Sequence, residues 1–158
     1  MADVPINIKE IKGGARHTLI LDTFGDLYIA GKNDITGRNE CKFTKLELNH
    51  KFEHIECGWD TIAAFDRENQ LFVWGSNTHN QLGFAKKEKE PTIKEPILLT
   101  LPNNEIAVQI KFGLMHSAIL TKSHQLFFTG SLKRFIKTYS QAAANETYRI
   151  VHHNSIEW

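Results

Sequence analysis

The chain has 158 residues, 41% apolar and 23% charged, and its 19 Lys and Arg against 18 Asp and Glu leave a formal charge of +1. That length suits one ordinary domain with room for a core, and the neutral balance carries no electrostatic footprint for nucleic acid or an anionic membrane. The start, MADVPINIKE, is charged early and lacks an apolar leader core, and no stretch approaches the roughly 18 apolar residues of a spanning helix. A cytoplasmic location, nuclear as well, is the expectation. Cys41 and Cys57 are the only cysteines, so there is neither a disulfide framework nor a CxxC pair.

Taken in chain order, residues 8–12 read as a short strand ending in Gly13-Gly14. Residues 14–31, GARHTLILDTFGDLYIAG, then read strand, turn, strand: Thr18-Leu19-Ile20-Leu21, a turn at Thr23-Phe24-Gly25-Asp26, and Leu27-Tyr28-Ile29-Ala30. The block returns as GWDTIAAFDRENQLFVWG after a strand at residues 52–56, and as GLMHSAILTKSHQLFFTG after a strand at residues 108–111. Its bounding glycines are Gly14 and Gly31, Gly58 and Gly75, Gly113 and Gly130, 17 residues apart in each copy, and successive copies start 44 and 55 residues on. Such self-similarity marks a repeat architecture. The turn position holds Gly25, Asn69 and His124, all types that tolerate positive φ, so one tight hairpin is expected three times. The leading glycines suggest close backbone approach, as where several sheets crowd a common axis.

After the second block, Ser76-Asn77-Thr78-His79-Asn80-Gln81-Leu82-Gly83 reads as a polar turn with an apolar pin, residues 88–96 as a charged, proline-bearing excursion, and Pro96-Ile97-Leu98-Leu99 as an outer strand. About four short strands per repeat is the size of a propeller blade. The expected fold is therefore all-β, a partial β-propeller of about three four-stranded blades at residues 6–51, 52–105 and 106–131 onward. Residues 132–158 form a divergent tail. Within it, LKRFIKTYSQAAAN has the helical spacing Leu132, Phe135, Ile136, Tyr139, which gives a short C-terminal helix as a cap. The alternative is an irregular tail with a final strand at residues 148–152 that completes the third blade. An open arc leaves an unsatisfied face at each end, so it calls for more chain, a cap, self-association or a second chain to close it.

His17, Thr61 and His116 share one repeat position, and recurrence at a fixed offset points to a structural, hydrogen-bonding role. The spacing of Cys41, His50, His54 and Cys57 lacks the close ligand pairs of a structural zinc site. No GxSxG, P-loop or HExxH pattern appears, and Asp22, Asp66 and Glu68 fall at hairpin ends, where solvation is expected. No cofactor, no metal and no enzymatic activity are expected. The loop after each leading glycine is the better candidate site. Its tips, Ala15-Arg16, Trp59-Asp60 and Leu114-Met115, would line up on one face, and Trp, Arg and Met are interface types. Packing of Trp59 between blades and gap filling by Met115 is the structural alternative.

The run Ile55 to Thr61 as I-x-C-G-W-D-T, then L-F-V-W-G-S-N at residues 71–77 and Q-L-G at residues 81–83, resembles the repeat of the regulator of chromosome condensation family. The likeness covers residues 6–131 and is best in the middle copy. It implies a seven-bladed propeller, of which three repeats are present. Cys57-Gly58-Trp59-Asp60-Thr61 and Trp74-Gly75-Ser76-Asn77-Thr78, with Lys94-Glu95-Pro96 downstream, are most similar to the branch holding the secretion-regulating guanine nucleotide exchange factor and its fungal relative. That branch implies a non-enzymatic interaction scaffold with a small zinc-binding protein as partner, serving Elongator-dependent tRNA wobble-uridine modification and diphthamide synthesis. The alternative it implies is a guanine nucleotide exchange factor for a small GTPase. The first copy departs from the pattern at Lys32-Asn33-Asp34-Ile35-Thr36-Gly37-Arg38, and the third loses the Q-L-G run.

Overall fold

The computed structural model describes residues 7–33, 38–84, 91–131 and 148–150. They form three four-stranded antiparallel sheets, and no α-helix occurs among them. Blade 1 is β1 (Ile8–Gly13), β2 (His17–Asp22), β3 (Leu27–Asn33) and β4 (Arg38–Lys45), in that spatial order. Blade 2 is β5 (His54–Cys57), β6 (Thr61–Phe65), β7 (Leu71–Ser76) and β8 (Thr92–Leu98). Blade 3 is β9 (Ala107–Phe112), β10 (His116–Thr121), β11 (Leu126–Gly130) and β12 (Tyr148–Ile150). The short strand β12 is the first part of the final strand expected at residues 148–152, while the helical alternative at 132–145 lies outside the described residues.

The register repeats with the sequence. His17 faces Gly31, Thr61 faces Gly75, and His116 faces Gly130 across the central pair of each blade. The expected turn is made three times, with φ of +84° at Gly25, +59° at Asn69 and +61° at His124. The hairpin pattern alone makes Asp22 and Asp66 solvated ends, and the structure corrects this at Asp22, while Asp66 is half-buried with exposed hydrogen bonds. Asp22 is buried, and its Oδ1 accepts from the backbone N–H of Phe24 and Asp26, both at 2.9 Å. Asp66 accepts likewise from Glu68 and Gln70 at 2.9 and 2.8 Å. A short carboxylate at the start of the turn satisfies turn N–H groups that the ladder cannot reach.

Strand alternation sorts the core into two layers. Leu19, Leu21, Leu27 and Ile29 of blade 1 pack on Phe52, Ile55, Ile62, Ala64, Phe72 and Trp74 of blade 2. The other side of blade 2, Ala63, Phe65, Leu71 and Val73, packs on Ile110, Ile119 and Phe127 of blade 3. Blade 2 is thus apolar on both faces, which explains why β6 and β7 read as continuous apolar runs. The outer strand placed at residues 96–99 is in fact β8, Thr92–Leu98, so the charged excursion ends sooner. Thr92 and Ile93 pair with Ser76 and Gly75 after a register shift, and Pro96 sits on an edge strand, where its missing N–H is tolerated.

Candidate functional site

Each inner strand (β1, β5, β9) runs into a tight loop before the next strand, and the three loops are built alike. The leading glycine donates its N–H to the carbonyl three residues on: Gly14 to His17 at 2.8 Å, Gly58 to Thr61 at 2.9 Å, Gly113 to His116 at 2.8 Å. A Cβ on these glycines would run into the side chain of that same residue, 2.6 Å from His17 Nε2 and 2.7 Å from His116 Nε2, and at Gly58 also 2.6 Å from Phe112 Cβ of the next blade. What crowds these glycines is a side chain and not the backbone expected from the sequence, and only at Gly58 does it come from the next blade. The closing glycines have φ of +103° at Gly31, +104° at Gly75 and +101° at Gly130, and at Gly31 and Gly130 a Cβ would strike the backbone of Arg16–His17 and Met115–His116. No other residue type fits both demands at those two.

These loops carry the predicted tips to one end of the arc. Ser76 N–H donates to Asp60 O, and Ser131 N–H to Met115 O, both at 2.8 Å, so the tips are tied to the ends of the third strands. Tips one and two are joined across blades by Ala15 N–H to Trp59 O at 3.0 Å and by the Arg16–Asp60 ion pair at 3.8 Å. Trp59 is 53% exposed, Leu114 54% and Met115 39%. Each keeps part of its apolar surface in solvent, while the rest is covered by the fold.

His17 and Thr61 are buried and His116 half-buried. The hydrogen-bonding role expected of this position is not met at His17, since neither ring nitrogen has a partner among the described residues. The ring acts by shape, filling the space that Gly14 leaves open. Burial pushes the His17 pKa down, and the Asp60 charge pulls it partly back. Cys57 is half-buried, and desolvation, with Glu56 beside it, pushes its thiol up to about 12, which makes it inert. Cys41 is exposed on β4. Among the described residues no group of three or more His, Cys, Asp or Glu could hold a metal ion.

Sequence reasoning missed two devices that hold the loop face in place. The first is a clasp. Asn80 O and Gln81 O of blade 2 accept from Thr129 Oγ1 at 2.7 Å and Ser117 Oγ at 2.9 Å of blade 3, while the adjoining Leu82 is 1% exposed in the core between them. The second is a row of contacts along the inner strands: ion pairs of Lys9 with Glu53, of Lys12 with Glu56 at 3.7 Å and of Glu56 again with Lys111, and a hydrogen bond between Glu10 and His54 at 2.6 Å. The signal was present in the sequence, because Lys12, Glu56 and Lys111 hold the same repeat position with alternating sign.

The regulator of chromosome condensation (RCC1) repeat matches residues 68–120, and a second description of the same repeat matches residues 52–81. Together these matches place RCC1 repeat sequence at residues 52–120. The bovine secretion-regulating guanine nucleotide exchange factor is 30% identical over 132 residues, which cover 78% of this chain and 28% of that protein. Guanine nucleotide exchange factor SRM1 of Saccharomyces cerevisiae is 28% identical over 158 residues, 92% of this chain and 33% of its own. The chain spans a third or less of these relatives, at 28 and 33%. Among solved structures, yeast RCC1 (Prp20) bound to Kap60 superposes with a TM-score of 0.72 at 22% identity, over 95% of this chain and 37% of that one. Human WBSCR16 gives 0.66 at 21% identity, over 82 and 34%. The likeness is one of fold, and it makes the three sheets blades of a partial β-propeller.

Proposed function

We propose that the chain is a protein-recognition module whose loop face, Arg16, Trp59, Asp60, Leu114 and Met115, receives a folded protein partner without performing chemistry on it. The observation that carries this is the exposure of Trp59, Leu114 and Met115 on loops that repeated backbone bonds hold fixed. With the loop backbone already ordered, only side-chain rotamers remain to be fixed on binding, and the apolar side chains gain by leaving water. Arg16 and Asp60 add a polar pair at the rim. The resemblance to the Elongator and diphthamide branch names the first partner to try, its small zinc-binding protein. Titration of the chain with that protein by calorimetry is expected to give micromolar or tighter binding. Trp59→Ala with Asp60→Ala should weaken it at least tenfold with the circular dichroism spectrum unchanged. Retained affinity in the double variant removes the loop face from the reading.

A second reading, nucleotide exchange on a small GTPase, is favoured by the relatives named guanine nucleotide exchange factors, one of them 30% identical over 132 residues. Release of labelled nucleotide from a GTPase panel decides it. No acceleration over intrinsic release counts against exchange by this chain.

A further inference from the structure

Tip three carries the one methionine of the described residues, Met115, the other methionine of the sequence being Met1. Its main chain and its side chain have separate duties. The Met115 carbonyl accepts from Ser131 N–H at 2.8 Å, and a Cβ at Gly130 would strike that same oxygen, so the backbone is fixed from two sides. Gly113 N–H closes the loop on His116 O at 2.8 Å, again without the thioether. The side chain is 39% exposed, beside Leu114 at 54%. Arg16 and Asp60 hold the same repeat position in the other two tips and pair with each other at 3.8 Å. At Met115 the chemistry of the side chain can therefore change while the loop keeps its shape.

The other sulfurs of the described residues leave this one as the oxidisable group of the loop face. Cys57 is half-buried on the inner strand of blade 2, with its thiol pushed up to about 12, so it offers almost no thiolate. Cys41 is exposed, but on the outer strand of blade 1, with blade 2 between it and tip three. The two cysteines lie on opposite edges of adjoining blades, three strand spacings or about 14 Å apart, which is beyond disulfide reach. We propose that Met115 is a redox modification site that sets the affinity of the loop face, a reading that rests on that face being the recognition surface. The oxidant is a hydroperoxide. The sulfur lone pair forms an S–O bond to one peroxide oxygen, the O–O bond breaks, and the other oxygen leaves as water or an alcohol once it takes the peroxide proton. Sulfur is oxidised and the peroxide reduced. A flexible apolar side chain becomes a polar one, and its new oxygen loses water when a partner covers it. Methionine sulfoxide reductase reverses the step.

The test uses the Cys41→Ser chain, so that the exposed thiol takes no part. Hydrogen peroxide, then catalase, then peptide mass mapping is expected to place one added oxygen on Met115 of the folded protein, with circular dichroism and melting temperature unchanged. Loop-face ligands come from a random peptide library free of Met and Cys, selected on the unoxidised chain and kept where Trp59→Ala weakens them at least tenfold. These peptides should bind the sulfoxide form at least tenfold more weakly and regain their affinity after the reductase. Met115→Leu should show one affinity before and after peroxide, whatever its starting value. Trp59-dependent peptides that bind both oxidation states alike overturn the switch and leave the loop face standing. A Met115 that resists peroxide in the folded chain overturns it too, as does unfolding on oxidation, because lost binding would then be lost structure. A library that yields no Trp59-dependent peptide overturns the loop-face reading and this proposal with it.

Discussion

Asn77 offers the sharpest test of how the clasp between blades 2 and 3 is held. It is fully buried, its Nδ2 donates to Phe84 O at 3.0 Å, and its Oδ1 accepts from Leu82 N–H at 3.0 Å. Its backbone is committed as well, donating to Pro91 O at 2.7 Å and accepting from Asn80 N–H at 3.1 Å. Asn77→Asp preserves shape and the acceptor but replaces the donor with an oxygen facing another oxygen. At neutral pH this is a buried charge lacking a partner, a defect of about 3–5 kcal/mol, a large part of the roughly 5–15 kcal/mol that holds a domain folded. The defect carries its own pH signature. A buried carboxyl has its pKa raised on folding, so the variant approaches wild type below the unfolded value of about 3.9 and loses stability as pH rises through the folded value. Once protonated, the carboxyl O–H can donate to Phe84 O as the amide did. Urea unfolding of both proteins at pH 4 and pH 7 measures it. The deficit should be smaller at pH 4 by more than about 1.4 kcal/mol, a tenfold change in the folding equilibrium. Equal deficits at the two pH values would refute the claim that a donor at this position matters.

Asp22→Ala should destabilise by about 2–3 kcal/mol through loss of two charge-assisted bonds to turn N–H groups, and Asp22→Asn by less because Oδ1 still accepts; thermal melts compare them. The pKa of His17 is depressed on folding, so its contribution is fully present above the unfolded value near 6.5 and is lost as pH falls through the folded one. His17→Thr, which installs the residue found at the same place in blade 2, is expected to flatten the fall in melting temperature between pH 7 and pH 5; an unchanged slope assigns it to other groups. A maleimide at pH 8 should label the exposed Cys41 promptly and Cys57 only after unfolding, since a thiol at about 12 gives almost no thiolate. Equal labelling rates in the native protein contradict that burial.

The central hairpins were legible because local chemistry alone dictates them. A period of two, a turn residue at positive φ and a fixed glycine spacing name the strands without knowledge of their neighbours, and Gly25, Asn69 and His124 sit where that reasoning put them. Strand β4, RNECKFTK, was not anticipated, since an edge strand has little apolar alternation to betray it. The same holds for the start of β8. Asp22 was misjudged because its burial depends on how the turn folds back over it. At the candidate site, the three tips could be read from the leading glycines, but the Arg16–Asp60 pair and the Ala15–Trp59 bond depend on which blades adjoin, and so do the inner-strand ion pairs.

The two blade junctions meet one requirement by different means, and the difference explains residues that look like drift among repeats. Where blade 1 has no Q-L-G run, blade 2 answers with Ile62 and Trp74, and Trp74 stacks on Phe52 with centroids 5.9 Å apart while Phe52 meets Phe72 edge-on at 5.8 Å. Where blade 2 has the run, blade 3 answers with Ser117 and Thr129, whose hydroxyls bond the carbonyls beside Leu82. Neither answer transfers. A hydroxyl at residue 62 or 74 would be buried among the aromatic and aliphatic carbons of that core layer, and an apolar residue at 117 or 129 would take away the hydroxyl that the Gln81 or Asn80 carbonyl accepts from. The identity of those two positions is set by the preceding blade's connection, not by their own hairpin. A repeat here is therefore specified by its neighbour as much as by its own pattern.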